Sequence, residues 1–420
     1  MTASLLERKR RVMMPCLYHF YGDNPLELVR GQGMTVWDRE GRQYLDFFAG
    51  VAVNSLGHCH PEVTAAASAQ MNSLQHTTSI YLSELPIALA EDLVRLAPEP
   101  ISRVFFCADG SGANEGALVA ARIATGRPGF LAFRPGLHGR TSLTLAATGV
   151  AMWRADPFPP PVVQFVEHPA LQPIEEHFAA LEDVIQTTGA ERFAAFIAEP
   201  ICGNGGILVP PPAYFRRLKD LLNRHGILLI ADEVQTGFGR TGRWFGMEHW
   251  DVSPDLMSVA KALGNGLPVA AWLATEEVAR AVTSPQASTF GGNLVAMAAA
   301  RKVIEVIERA NLTSAAEAKG RFFRALLATV NDPRIAEVRG KGLMIGVELR
   351  QEDGSPDPTL CDALLMRLRH CGILAGKTGA HRNVLTFEPP LIVTEAQMEY
   401  AVSQVSEALA LDCSPLAGSR

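Results

Sequence analysis

The sequence predicts an α/β protein in which a largely parallel sheet is covered by helices on both faces. Short apolar runs of the length of buried strands occur at 104–108, 130–133, 194–200 and 227–233. Helical segments separate them, and the segment at 214–225 ends at Gly226, directly before the next apolar run. Such runs, separated by amphipathic helices, are typical of parallel strands buried on both faces.

The remaining elements follow in chain order. Residues 26–48 alternate apolar and polar side chains around a charged turn at 38–41, which predicts a β-hairpin. Further helices are expected at 61–76, at 84–97, from near 113–115, and at 293–309, the last of these largely buried. A second block begins near residue 316, where 338–350, a helix at 358–371 and a strand at 383–391 predict a smaller α+β unit.

Composition excludes several classes of protein. The 420 residues are 48% hydrophobic and 20% charged, which excludes a disordered chain or a small disulfide scaffold. A net charge of −6 without a basic cluster disfavours nucleic-acid binding. No apolar stretch reaches the roughly 18 residues of a membrane span, and no apolar region of a secretory signal follows the basic residues 1–11. The seven scattered cysteines form no C-x-x-C pair, so we expect free thiols in a cytoplasmic protein.

The most informative segment is 227–246, which is followed by Lys261 in a small apolar loop rich in glycine. Asp232 ends a buried apolar strand, where open α/β sheets bind ligands, and its carboxylate could hold a proton on a heterocyclic nitrogen. Partial desolvation of Lys261 would lower its pKa and favour Schiff-base chemistry. On spacing alone, a helix-capping Asp232 and a solvated Lys261 are equally acceptable.

Further candidate sites lie at three turns. Residues 104–122 place a Gly/Ser-rich turn before a helix, which is either a phosphate site or an ordinary capped turn. STFGGN (288–293) and GLHGRT (136–141) are weaker signals, although Arg140 in the second could clamp an anionic group. His58 and His60 have metal-like spacing but no accompanying acidic array, so we expect a polar turn and no metal site.

Together these segments resemble the class III (subgroup II) aminotransferases, which are fold type I enzymes dependent on pyridoxal 5'-phosphate (PLP). The resemblance runs from about residue 10 to 410, and its tightest matches are 45–63, 230–242, 260–268, 288–293 and 339–349. It implies a large PLP-binding domain at 60–315 with a mainly parallel seven-stranded sheet. The smaller α+β domain would combine an N-terminal segment, 1–59, with the C-terminal residues 316–420.

The resemblance also implies residue roles. Lys261 would be the Schiff-base lysine and proton carrier, and Asp232 would pair with the pyridinium nitrogen. Around the cofactor ring and phosphate the resemblance places Gly110, Ser111, Leu137, His138, Glu199, Val234, Gln235 and Thr289. Of these, Gln235 would hydrogen-bond the ring hydroxyl, and Thr289 would reach the phosphate of a neighbouring subunit, which implies a homodimer. Arg140, Phe20 and Tyr21 are the candidate substrate residues.

Four departures from the family pattern carry the substrate information. In the phosphate turn, Asp109 and Gly112 replace a Ser and a Glu, and Leu137 replaces the usual stacking aromatic residue, which leaves His138 as the neighbour of the cofactor on that side. Asn204 stands where related enzymes have a gating Glu. Thr386 stands where many members have an Arg for the α-carboxylate of the amino acceptor, which disfavours glutamate and 2-oxoglutarate as partner substrates.

Two activities are consistent with these departures. The first is an aminotransferase that moves an amino group from a small primary amine or ω-amino acid to a keto acid such as pyruvate or glyoxylate. The alternative is a lyase of the phosphoethanolamine phospho-lyase type, whose substrate is an aminoethyl phosphate or hydroxy-aminoethylphosphonate and which needs no acceptor Arg. A non-catalytic protein on this fold is disfavoured because Lys261, Asp232 and Gln235 are all present.

Overall fold

The N-terminal part of the chain folds into a small antiparallel sheet. The computed structural model describes residues 4–22 and 24–411. After a first helix, α1 (Leu5–Val12), three strands pair in order: β1 (Leu28–Gln32), β2 (Thr35–Asp38) and β3 (Gln43–Asp46). The predicted hairpin with a turn at 38–41 is therefore confirmed, and β1 extends it to three strands. Asp38 closes the turn, since its Oδ1 accepts from the backbone N–H of Arg42 at 2.8 Å.

A seven-stranded sheet forms the centre of the molecule. Its strands are β4 (Ile101–Cys107), β5 (Gly129–Phe133), β6 (Val163–Val166), β7 (Phe193–Ala198), β8 (Leu228–Asp232), β9 (Leu256–Val259) and β10 (Ala270–Thr275). Their order is β4-β10-β9-β8-β7-β5-β6, and only β10 runs antiparallel to its neighbours. The mainly parallel sheet is thus confirmed, and every residue of β7 is buried, as a strand covered on both faces requires.

Helices cover the sheet. They are α2 (Ala49–Ala52), α3 (Pro61–Ser73), α4 (Glu84–Leu96), α5 (Gly110–Thr125), α6 (Ser142–Ala147), α7 (Ile174–Thr188), α8 (Tyr214–His225), α9 (Glu276–Ala281) and α10 (Leu294–Arg309). Helix α8 buries one apolar face and ends at Gly226, which adopts φ +62° as a left-handed cap. The expected start of α5 near 113–115 is wrong by one turn, because Asp109 caps the helix and starts it at Gly110.

The C-terminal part folds into the predicted α+β unit. Its elements are α11 (Leu312–Ala328), β11 (Ile335–Lys341), β12 (Met344–Leu349), α12 (Pro358–His370), β13 (Ile373–Leu374), β14 (Gly376–Thr378), β15 (Val384–Phe387) and α13 (Glu395–Ala410). Four strands form a sheet in the order β11-β12-β15-β14, while β13 joins the N-terminal sheet beside β3. The N-terminal sheet and the C-terminal unit are therefore linked by backbone hydrogen bonds between β3 and β13.

Two further features of the described residues concern the cysteines and the helices. The six cysteines among them, Cys16, Cys59, Cys107, Cys202, Cys361 and Cys371, are free thiols, and Cys413 lies outside the described residues. Within residues 4–22 and 24–411, no helix is both long enough and apolar enough to cross a bilayer.

Candidate active site

A cavity of about 410 Å³ opens at the carboxyl ends of the central strands. Nine of the residues predicted from sequence line it: Gly110, Ser111, Leu137, His138, Glu199, Asp232, Val234, Gln235 and Lys261. They come from five separate places in the chain, which lie at or just after the carboxyl ends of β4, β5, β7, β8 and β9. Parallel strands end at one edge of a sheet, so this convergence follows from the topology.

Lys261 begins a 3-10 turn, Lys261–Gly264, that follows β9. Its φ of +43° lies in the left-handed region, which is uncommon for a residue with a side chain and clusters at functional sites. The Nζ atom donates to Gln235 Oε1 at 2.8 Å. Burial lowers the pKa of Lys261, and the nearby carboxylates of Glu388, Glu199 and Asp232 oppose that effect. A desolvated amine held by one acceptor is suited to nucleophilic attack.

Asp232 is buried at the end of β8, where three groups lie within 3.1 Å of its carboxylate and the Ser258 hydroxyl lies 3.5 Å from its Oδ1. His138 Nδ1 lies 2.8 Å from Oδ2, Asn114 Nδ2 lies 2.7 Å from the same atom, and the backbone N–H of Val234 reaches Oδ1 at 3.1 Å. The imidazole ring of His138 therefore meets the Asp232 carboxylate through its Nδ1 edge. The arrangement fixes Asp232 as an oriented acceptor facing the cavity, and the helix-capping alternative for this residue is wrong.

Sequence reasoning missed Asn114 as a site residue. Asn114 lies one turn into α5, donates to both Asp232 Oδ2 and the His138 carbonyl, and accepts from the Ser258 hydroxyl on β9. Both contacts of its Nδ2 are 2.7 Å long. Asn114 lies within the segment 104–122 that the sequence singled out as a turn before a helix, which was the available signal.

The start of α5 forms a cradle for an anion. The N–H groups in the first turn of a helix have no partners within the helix, and Gly110 and Ser111, the first two residues of α5, line the cavity. A Cβ added at Gly110 would approach Val234 Cγ1 to 2.9 Å, so the chain passes too closely for a side chain. Asp109 turns its carboxylate to the backbone N–H of Gly112, with an Oδ1–N distance of 2.7 Å. Its role here is to cap the helix.

Glu199 lies in the wall of the cavity beside Leu137. Its two carboxylate oxygens accept from the backbone N–H groups of Leu137 and Gly203, each at 2.9 Å. The pKa of Glu199 is raised to about 7, and burial is the main cause. Glu199 therefore supports the turn that carries Leu137 and His138.

Four predicted residues do not line this cavity. Arg140 is exposed beside it, with its backbone N–H 3.2 Å from Ser111 Oγ, and Thr289 is exposed in the loop before α10. Phe20 packs edge-on against Phe48 with ring centroids 5.4 Å apart, and the ring of Tyr21 lies 4.8 Å from Arg369 Cζ. Their roles toward substrate or cofactor remain predictions.

Comparison with known proteins assigns the family. The family model described as "Aminotransferase class-III" matches residues 19–409. The chain belongs to the class-III aminotransferases. It is 40% identical over 395 residues to an acetylornithine aminotransferase of Methanopyrus kandleri, covering 93% of this chain and 97% of that relative. It is 36% identical to an alanine–glyoxylate aminotransferase 2 homologue of Arabidopsis thaliana, covering 95% of this chain and 85% of the relative.

A solved structure extends the comparison. A phospholyase from Arthrobacter in complex with phosphoethanolamine superposes with a TM-score of 0.91 at 29% identity, covering 97% of this chain and 98% of that one. Class-III aminotransferases are PLP-dependent enzymes, and this chain has the residues to hold the cofactor. Asp232 offers an acceptor for a ring nitrogen, the cradle at α5 suits a phosphate, and the buried Nε2 of His138 has no partner among the described residues.

Proposed function

We propose that this class-III aminotransferase transfers the amino group of a small primary amine or ω-amino acid to a keto acid such as pyruvate or glyoxylate. The observation that carries the proposal is that no arginine is among the residues lining the described cavity, since Arg140 is exposed outside it. Thr386 is fully buried and shares a 2.7 Å hydrogen bond between its Oγ1 and that of Thr378. A dicarboxylic partner substrate would lack a bidentate carboxylate site at this position.

Each cavity residue has a distinct task in this proposal. PLP, when bound, supplies an electron sink for the carbanion formed at the amine carbon. Asp232, oriented by His138 and Asn114, holds the proton on the ring nitrogen. Lys261 would hold the cofactor through its desolvated amine, and its Nζ, once free, would take up and return a proton. Gly110 and Ser111 bind the phosphate through their N–H groups.

We also propose a homodimer in which Thr289 of the partner subunit completes the phosphate site. In the isolated chain Thr289 is exposed, and large apolar side chains lie exposed near the same loop: Tyr81, Leu82 and Phe290. Exposed apolar clusters of this kind are typical of subunit interfaces. Arg140 would then meet the substrate at the cavity mouth. The free thiols favour the cytoplasm as the site of action.

The alternative activity is elimination of ammonia or phosphate from an aminoethyl phosphate or a hydroxy-aminoethylphosphonate. It is favoured by the similarity to the Arthrobacter phospholyase and by Thr386, since a lyase needs no site for a keto-acid acceptor. The 40% identity to an acetylornithine aminotransferase favours transfer, and makes acetylornithine, an amine that bears a carboxylate, a necessary test substrate.

A single half-reaction separates these activities. PLP-loaded enzyme is mixed with excess amine and no keto acid, while the visible spectrum and released ammonia are followed together. The amines are alanine, 4-aminobutyrate, acetylornithine, phosphoethanolamine and 2-aminoethylphosphonate with its 1-hydroxy form. Conversion of the cofactor to pyridoxamine phosphate, without ammonia, supports transfer, and subsequent addition of pyruvate, glyoxylate or 2-oxoglutarate identifies the acceptor. Sustained ammonia release would contradict transfer and establish the lyase.

A further inference from the structure

Behind Lys261 lies a buried carboxylate that sequence reasoning did not single out. Glu388 follows β15, is fully buried, and does not line the cavity. Its Oε1 accepts from Gln235 Nε2 at 2.6 Å, and its Oε2 has no partner among the described residues. Gln235 in turn accepts from Lys261 Nζ at 2.8 Å through its Oε1. A chain of two hydrogen bonds thus joins Glu388 to the reactive amine.

The chemistry of Glu388 determines which way the Gln235 amide faces. An ionised carboxylate can only accept hydrogen bonds, so the atom of Gln235 that meets it must be the NH₂ group. The amide oxygen is then left to face Lys261. Gly203 closes one side of the amide, because a Cβ added there would lie 2.6 Å from Gln235 Oε1 and 2.7 Å from Nε2.

A buried cation favours the ionised form of Glu388. Arg240 is fully buried and donates through Nη1 to the carbonyls of Leu343 and Pro389, at 3.0 and 2.5 Å. Burial raises the pKa of Glu388, whereas the charge of Arg240, the hydrogen bond from Gln235 and the charge of Lys261 oppose that rise. A carboxylate serving only as a counter-ion to Arg240 would need no contact with Gln235.

We infer that Glu388 is a positioning residue, which fixes the Gln235 amide with its oxygen toward Lys261 and so limits how readily the Lys261 amine loses its proton. The inference rests on the role proposed above for Lys261, but not on the identity of the substrate. The charged groups that act on Lys261 are Glu388, Glu199 and Asp232, which raise its pKa, and Arg240, which lowers it. Of the three carboxylates, Glu388 has the largest effect.

The test uses Glu388→Gln, which preserves size but removes the charge and allows the Gln235 amide to turn. In the cofactor-free protein, the rate of reductive methylation of Lys261 is measured against pH by mass spectrometry of its peptide. Losing a nearby negative charge should move the midpoint of that profile down by about one pH unit. In the PLP-loaded protein, the pH titration of the visible absorbance should shift in the same direction.

Glu233→Gln is the matched control. Glu233 is also a fully buried carboxylate, but it is bonded to Thr236 and to the backbone N–H groups of Gly246 and Met247. This variant should leave the Lys261 midpoint in place. An unchanged midpoint in folded Glu388→Gln would overturn the inference and leave Glu388 as a counter-ion to Arg240.

If Glu388→Gln does not fold, Glu388→Asp decides the question. That variant keeps the charge near Arg240 but withdraws it from Gln235 by one methylene group. The inference expects a lowered midpoint, whereas a wild-type midpoint would contradict it. The titration of cofactor-free protein requires no substrate, so failure of every tested amine would refute the proposed substrate class without affecting this result.

Discussion

Replacing Asn114 with alanine should impair the reaction more than it impairs the fold. The substitution removes one donor from the buried Asp232 carboxylate and leaves His138 Nδ1 and the Val234 N–H as the close remaining donors. It also leaves the His138 carbonyl and the Ser258 hydroxyl without their contacts to Asn114. Asp232 would then be less firmly aimed at the ring nitrogen of the cofactor.

The size of the effect follows from these contacts. A hydrogen bond to a charged group contributes about 1.5–3 kcal/mol. If that contribution is used in the transition state, its loss corresponds to roughly 10- to 100-fold in kcat/KM, since about 1.4 kcal/mol changes a rate tenfold. The loss of the neutral contacts should lower the free energy of unfolding by about 1–3 kcal/mol.

The assay compares Asn114→Ala with Asn383→Ala in a half-reaction with whichever amine converts the wild-type cofactor. Asn383 is also buried, and its Nδ2 donates to the Leu349 carbonyl at 2.9 Å in the C-terminal unit, away from Asp232. Both variants should lose comparable stability in urea, but only Asn114→Ala should lose rate. Folded, PLP-loaded Asn114→Ala with a kcat/KM within about twofold of wild type would refute the assigned role of Asn114.

Three further predictions follow from the site. Gly203→Ala should displace the Gln235 amide, because the new Cβ would lie 2.6 Å from its oxygen; activity should fall at least about tenfold, and a crystal structure with that amide unmoved would contradict this. Burial raises the pKa of Glu233 to about 7, so its protonation stabilises the fold below pH 4.5 and that stability is lost as pH rises through 7. Between pH 4.5 and 7, the free energy of unfolding in urea should therefore fall by about 3 kcal/mol more for wild type than for Glu233→Gln. If this free energy changes with pH in the same way for both proteins, the raised pKa of Glu233 is refuted. Thr289→Ala should weaken PLP binding about tenfold in a dimer, measured by equilibrium dialysis, and unchanged affinity would contradict the shared phosphate site.

Local patterns in the sequence determined most of the fold. Continuous apolar runs predicted the buried strands, because a strand covered on both faces has no solvent-exposed side for polar residues. Gly226 marked the end of α8, because glycine adopts the left-handed conformation of a helix cap without strain. The start of α5 was misplaced, since only the conformation shows whether Asp109 bonds its own turn or faces a ligand. The motifs also predicted Lys261, Asp232 and Gln235 as site residues, because the family pattern is local in sequence, and all three line one cavity.

The partners of these residues were decided by tertiary structure. Asn114 meets Asp232 across 118 positions, and Glu388 meets Gln235 across 153, so no local pattern could relate them. Likewise, sequence spacing left Lys261 equally acceptable as a solvated residue, and only the folded environment shows its amine partly buried and hydrogen-bonded to Gln235. Hydrogen bonding and desolvation depend on distance in space. The sequence therefore determined which reactive groups are present, and the fold determined how they are oriented and charged.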